Sequence, residues 1–255
     1  MHFSSRLELG KVEHRLHLAS LYNDLGAYLS ESKQYETAVE YLNKALVIVR
    51  ETICDPCQQS HPCCSSLQDQ VLFDEFMKPP EIKRNHWELY RFEAASSDEN
   101  ETYFVYCHPI YMPAKLSKSA DCNASNRQHC AIFSAIVMFN LAVVHHQSAI
   151  RRGIKHRSYY RLLKKSANLF DLAYLMLNNE NLSFGTLFIL ALANNLAQIY
   201  KSLGEEERAR RYYEHLLSTL VYSTTECPRK DLETYECFWR SATHLILQDR
   251  VAGAA

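Results

Sequence analysis

The chain has 255 residues, 47% hydrophobic and 22% charged, which is globular composition with enough apolar side chain to bury a core. Its 28 Lys and Arg nearly cancel its 29 Asp and Glu, so the overall charge makes no case for a nucleic-acid or membrane-surface protein. The first residues, MHFSSRLELGKVEHR, lack a secretory leader, and the most apolar stretch, Ala131 to Val144, is interrupted by Asn140 and falls short of the roughly 20 residues a bilayer crossing takes. A cytoplasmic protein is therefore expected, with the nucleus as the other compartment, no membrane partner, nine reduced cysteines and unglycosylated sequons at Asn100, Asn123 and Asn181.

From Val12 to Arg50, apolar residues recur three and four apart in two runs broken around Ser30 to Gln34, the pattern of two antiparallel helices joined by a tight turn. Between Cys54 and Cys130 the periodicity fails, because Pro56, Pro62, Pro79, Pro80, Pro109 and Pro113 break any long helix. Within this stretch, TYFVYCHPIYM is rich in β-branched and aromatic residues and reads as a strand or short hairpin, confined to an edge by Pro109; HWELYRFEA reads as a second extended piece. Helical periodicity returns over Cys130 to Ile150, Tyr159 to Leu177, Phe184 to Ser202 and Glu206 to Tyr222. A last amphipathic segment, Leu232 to Leu247, carries Tyr235, Phe238, Trp239, Leu245 and Ile246 and reads as a cap on a helical stack. Three regions follow: a helical hairpin over 1–53, an irregular insertion with short strands over 54–129, and helical repeats with a capping helix over 130–255.

Superimposing the hairpins is more informative than reading each alone. In the first, Leu25-Gly26 is followed at 12 residues by Ala38, then by Leu42 and Ala45; in the last, Leu196-Ala197 is followed at 12 residues by Ala209, then by Tyr213 and Leu216. The middle pair shows Leu141-Ala142, then Ser166, Phe170 and Ala173 after a longer connection. This pattern resembles the tetratricopeptide repeat family, in which small residues at these places let the helices of a hairpin approach closely. The resemblance covers about 19–51 and 190–222, the latter departing at Leu216, and more loosely 135–178; the prolines at the family's repeat ends are missing. It implies an all-α fold of antiparallel hairpins stacked as a short solenoid, interrupted by the insertion, with a plain helical bundle as the alternative.

The resemblance also implies a scaffold or adaptor whose first helices line a concave groove that grips a peptide or protein segment, an inference by analogy of fold. In related superhelical members a polar residue just before the conserved Leu of the first helix bonds the ligand's main chain. The matching residues here are Asp24, Asn140 and Asn195, with Gln198 and Lys201 one turn further along the last repeat. An amide side chain both donates to a carbonyl and accepts from an N–H, which suits sequence-tolerant binding. The competing reading is that these asparagines tie neighbouring helices to each other.

The run RRGIKHRSYYRLLKK holds Arg151, Arg152, Lys155, Arg157, Arg161, Lys164 and Lys165 with no acidic residue; it could meet an acidic partner or nucleic acid, but a solvated helix face is the favoured reading. CDPCQQSHPCC supplies Cys54, Cys57, His61, Cys63 and Cys64, soft ligands that could staple the insertion with zinc, although their spacing matches no complete zinc motif. Absence of cofactor is the favoured expectation. His145 and His146 are adjacent and diverge by about 100° on a helix, so they form no two-ligand face. With six glycines there is no GxGxxG, GxxxxGK[ST] or GxSxG, and no residue is nominated for a reaction, so a non-enzymatic protein is expected.

Overall fold

The computed structural model describes residues 2–54, 106–112, 123–179, 186–226 and 235–243. They form seven helices: α1 (His2–Glu31), α2 (Tyr35–Cys54), α3 (Asn123–Arg152), α4 (Tyr159–Asn179), α5 (Thr186–Ser202), α6 (Glu206–Glu226) and α7 (residues 235–243). Consecutive helices pack as hairpins, α1 on α2, α3 on α4 and α5 on α6, and each hairpin leans on the next through α2 against α3 and α4 against α5. This is the all-α stack that the repeated pattern implies.

The small residues sit where the hairpins touch. A Cβ built on Gly26 would lie 2.6 Å from Cγ of Leu42 and 3.3 Å from the carbonyl oxygen of Ala38, so α1 and α2 pass too closely there for any side chain. Ala38, Ala45, Ala142, Ala197 and Ala209 are all buried, with Leu42, Phe170 and Leu216 filling the layers between them. Ser166 takes the same place in the middle hairpin and adds a bond, its Oγ donating 2.7 Å to the carbonyl of Ala142 across the helix pair.

The turns repeat as faithfully as the contacts. After α1, the N–H of Gln34 bonds the carbonyl of Leu29 and that of Lys33 bonds Ser30; after α5, Glu205 bonds Tyr200 and Gly204 bonds Lys201. Both are Schellman closures, which need a left-handed residue just past the helix end. Gly204 supplies it at φ 76°, whereas the first turn uses Lys33 at φ 60°. α3 also ends at a left-handed glycine, Gly153.

Phe139 on α3 joins the second and third hairpins, lying edge-on to Phe170 at 5.3 Å and tilted against Phe188 at 5.0 Å. Cys130–Arg152 is long and apolar enough on composition to cross a membrane, yet most of this stretch is buried between neighbouring helices. The C-terminal segment closes one end: Phe238 of α7 is fully buried, and Ser241 donates 2.7 Å to Oδ1 of Asn194 on α5.

Candidate peptide groove

The first helices of the hairpins, α1, α3 and α5, share a face, and residues 106–112 (Tyr-Cys-His-Pro-Ile-Tyr-Met) lie along it. These residues fall in the stretch expected to form a strand or short hairpin, and they form no strand. Their main chain is bonded instead by side chains of the helices, so a lone extended segment is satisfied without a neighbouring strand.

Asn195 makes two bonds to one residue: its Oδ1 accepts from the N–H of Tyr106 at 2.8 Å and its Nδ2 donates to the Tyr106 carbonyl at 2.8 Å. Asn140 repeats the arrangement four residues on, accepting from the N–H of Ile110 at 2.7 Å and donating to its carbonyl at 2.8 Å. Asp24 accepts from the N–H of Met112 at 2.8 Å. The residue before the conserved Leu in all three repeats therefore holds the same segment, which runs from the last repeat toward the first. Pro109, which has no N–H to donate, falls between two of the anchored residues.

Asn140 also does what the competing reading required. Its Nδ2 reaches Oδ1 of Asn23 at 2.8 Å, and Asn23 in turn donates to the Ile110 carbonyl at 3.0 Å, so the same amides tie α1 to α3 and hold the segment. Asn23, Asn140 and Asn195 are fully buried beneath it.

Gln198 is turned toward the capping helix, donating 3.0 Å to Oγ of Ser241. Lys201 lies half-buried in the last turn of α5. Sequence reasoning missed three contributors, Asn23, Gln147 and Glu31. Gln147 donates 2.8 Å to the carbonyl of Cys107, and Glu31 accepts from the Tyr111 hydroxyl at 2.7 Å. Gln147 and Glu31 each lie seven residues beyond a predicted position, Asn140 and Asp24, so two helical turns on the same face was the available signal, whereas Asn23 adjoins Asp24.

The apolar half of the site is equally specific in register. Pro109, Ile110 and Met112 are buried, and Tyr106 stacks on Phe238 at 6.3 Å and lies edge-on to Phe139 at 6.0 Å. Burial pushes the Tyr106 hydroxyl up to about 12 and the Cys107 thiol above its ordinary value. His108 is held below its ordinary value by burial, partly offset by the Glu31 carboxylate.

The seven cations of the basic run are all exposed, in the last turn of α3, in the turn that follows and along α4. Two of them brace the first hairpin: Arg152 pairs with Glu36 at 3.0 Å, and Arg151 donates to the carbonyl of Lys33 and lies over the Tyr35 ring. The cysteine-rich cluster falls outside the described residues except for Cys54 at the end of α2, as does HWELYRFEA. Among the described residues no three His, Cys, Asp or Glu side chains gather as a metal set.

Two segments match family models of the tetratricopeptide repeat, residues 18–62 and 190–219. They fall on the first and last hairpins, where the small-residue registers coincide. The first and last hairpins are tetratricopeptide repeats. Repeats of this family serve in general as protein-interaction scaffolds, so a protein partner is the expected one. No curated protein and no solved structure gave a significant match.

Proposed function

We propose that this protein is an adaptor whose concave face clamps the main chain of an extended protein segment. One observation carries the reading: Asn140 and Asn195, at the same position of successive repeats, each hold both the N–H and the carbonyl of one residue of a single extended segment. A carboxamide that bonds both groups fixes the direction and spacing of the guest chain while leaving its side chains free to vary.

The test is affinity capture from a lysate by the wild-type chain and by N140A/N195A, each first shown to retain its helices by circular dichroism. Proteins retained by the first and lost from the second support the clamp. An unchanged set of captured proteins places partner binding elsewhere and ends the reading.

A further inference from the structure

We infer that residues 106–112 are a resident ligand competing in cis with the outside partner, and that this partner presents the same register: an aromatic residue, a proline–aliphatic pair beginning three residues later, and a methionine-like residue two after the aliphatic. The inference rests on the clamp proposed above and specifies what it reads.

The main-chain bonds alone do not distinguish one sequence from another, so selectivity has to come from the side chains the groove encloses. Tyr106 fits between Phe238 and Phe139, and Pro109, Ile110 and Met112 are buried, while Cys107, His108 and Tyr111 keep part of their surface outside. Positions four, five and seven of the segment are thus enclosed by burial and position one by its two ring contacts, while position six is held by the bond from the Tyr111 hydroxyl to Glu31 and positions two and three keep part of their surface outside. Burying an aliphatic side chain such as Ile110 is favourable in proportion to the apolar surface removed from water, so each enclosed position discriminates against a polar replacement.

The segment is held as a ligand is held. Side chains of α1, α3 and α5 bond the main chain of Tyr106, Cys107, Ile110 and Met112. A segment that belongs to the same chain as its groove competes at an effective concentration on the order of millimolar, which any outside segment has to overcome.

The experiment uses the full chain and a fluorescein-labelled synthetic peptide of residues 102–112 (TYFVYCHPIYM). In I110D/M112D the resident segment loses its buried anchors and the groove opens. The peptide should bind this variant at least tenfold more tightly than wild type, and adding N140A should abolish that binding. A peptide carrying I110D should not bind. With excess peptide on the wild-type chain, hydrogen exchange at Tyr106, Ile110 and Met112 should accelerate. A folded I110D/M112D that ignores the peptide, or a variant that loses its helices, overturns the inference, the latter by showing that the segment is inseparable from the core. If the peptide binds while lysate capture is indifferent to N140A/N195A, the groove serves its own segment and the adaptor reading alone fails.

Discussion

The Asn140 carboxamide holds Ile110 by both its N–H and its carbonyl and, with the same Nδ2, bonds Oδ1 of Asn23 on the neighbouring repeat. Asn195 makes the equivalent pair of bonds to Tyr106. Removing Asn140 leaves two main-chain groups and the Asn23 amide without this partner, at a cost of roughly 2–4 kcal/mol, since each buried polar group left unsatisfied costs about 1–3 kcal/mol before relaxation. N140A should therefore destabilise the fold more than N195A, by about 1 kcal/mol in urea unfolding. Equal losses would mean that the tie between α1 and α3 contributes nothing beyond the grip on the segment.

Gly26 offers a sharper test of why the hairpin surfaces are lean. The methyl group of G26A would meet Cγ of the fully buried Leu42, an inner atom of that side chain, with the Ala38 carbonyl close behind. Overpacking of this kind costs roughly 1–3 kcal/mol, although alanine is otherwise the better helix former. G26A should lower the urea midpoint, and the G26A/L42A double variant should lose less than the sum of the two single changes.

Much of the scaffold was legible from residue spacing, because a small residue at a helix contact leaves a trace that repeats: Gly26 to Ala38 and Ala197 to Ala209 carry the same step. The positions lining the groove were legible for a related reason, since Asp24, Asn140 and Asn195 each precede the leucine that marks the register. Their occupant was not. Residues 106–112 have the β-branched and aromatic character of a strand, and local sequence reports that a backbone is extended without reporting what pairs with it. Here three helices supply the partners through side chains, a tertiary arrangement that no local period encodes.

Lys33 stands where the equivalent turn of the last repeat has Gly204, and both residues are left-handed. A side chain in that region costs roughly 1–2 kcal/mol, while glycine's greater freedom in the unfolded chain returns part of it. K33G should raise stability by up to about 1 kcal/mol. G204K should lower it by a similar amount, with both read from urea unfolding.

Asp171 of α4 links the last three repeat helices, accepting hydrogen bonds from the hydroxyls of Tyr200 on α5 and Tyr212 on α6. The two rings are stacked 5.8 Å apart, and the Arg208 guanidinium lies 4.4 Å over Tyr200. Burial and the carboxylate raise the pKa values of both tyrosines. D171A strands the hydroxyl of the deeply buried Tyr200 and should cost roughly 2–3 kcal/mol, whereas Y212F at a half-buried position should cost about 1 kcal/mol. A double-mutant cycle between the two should show coupling on the order of 1 kcal/mol; additive losses would rule out a shared bond.

His146 is fully buried on α3, neither ring nitrogen has a hydrogen-bond partner among the described residues, and burial holds its pKa down to about 4. The half-buried His145 beside it is lowered to about 4 as well, by burial first and then by the charge of Lys165. In the unfolded chain a histidine takes up its proton near pH 6.5. Between those values the unfolded state binds more protons than the folded one, so stability is complete above about pH 6.5 and falls as the pH drops toward 4. At pH 5 the His146 contribution alone should be about 2 kcal/mol below its value at pH 7. H146L removes the titrating group without breaking a hydrogen bond, so it should leave stability at pH 7 unchanged or higher and flatten the acid limb, with the His145 share remaining. Urea unfolding of both chains at pH 7 and pH 5 measures the difference. If H146L loses as much stability on acidification as wild type, the imidazole is reached by water in the folded chain and the acid limb arises from His145 and the carboxylates.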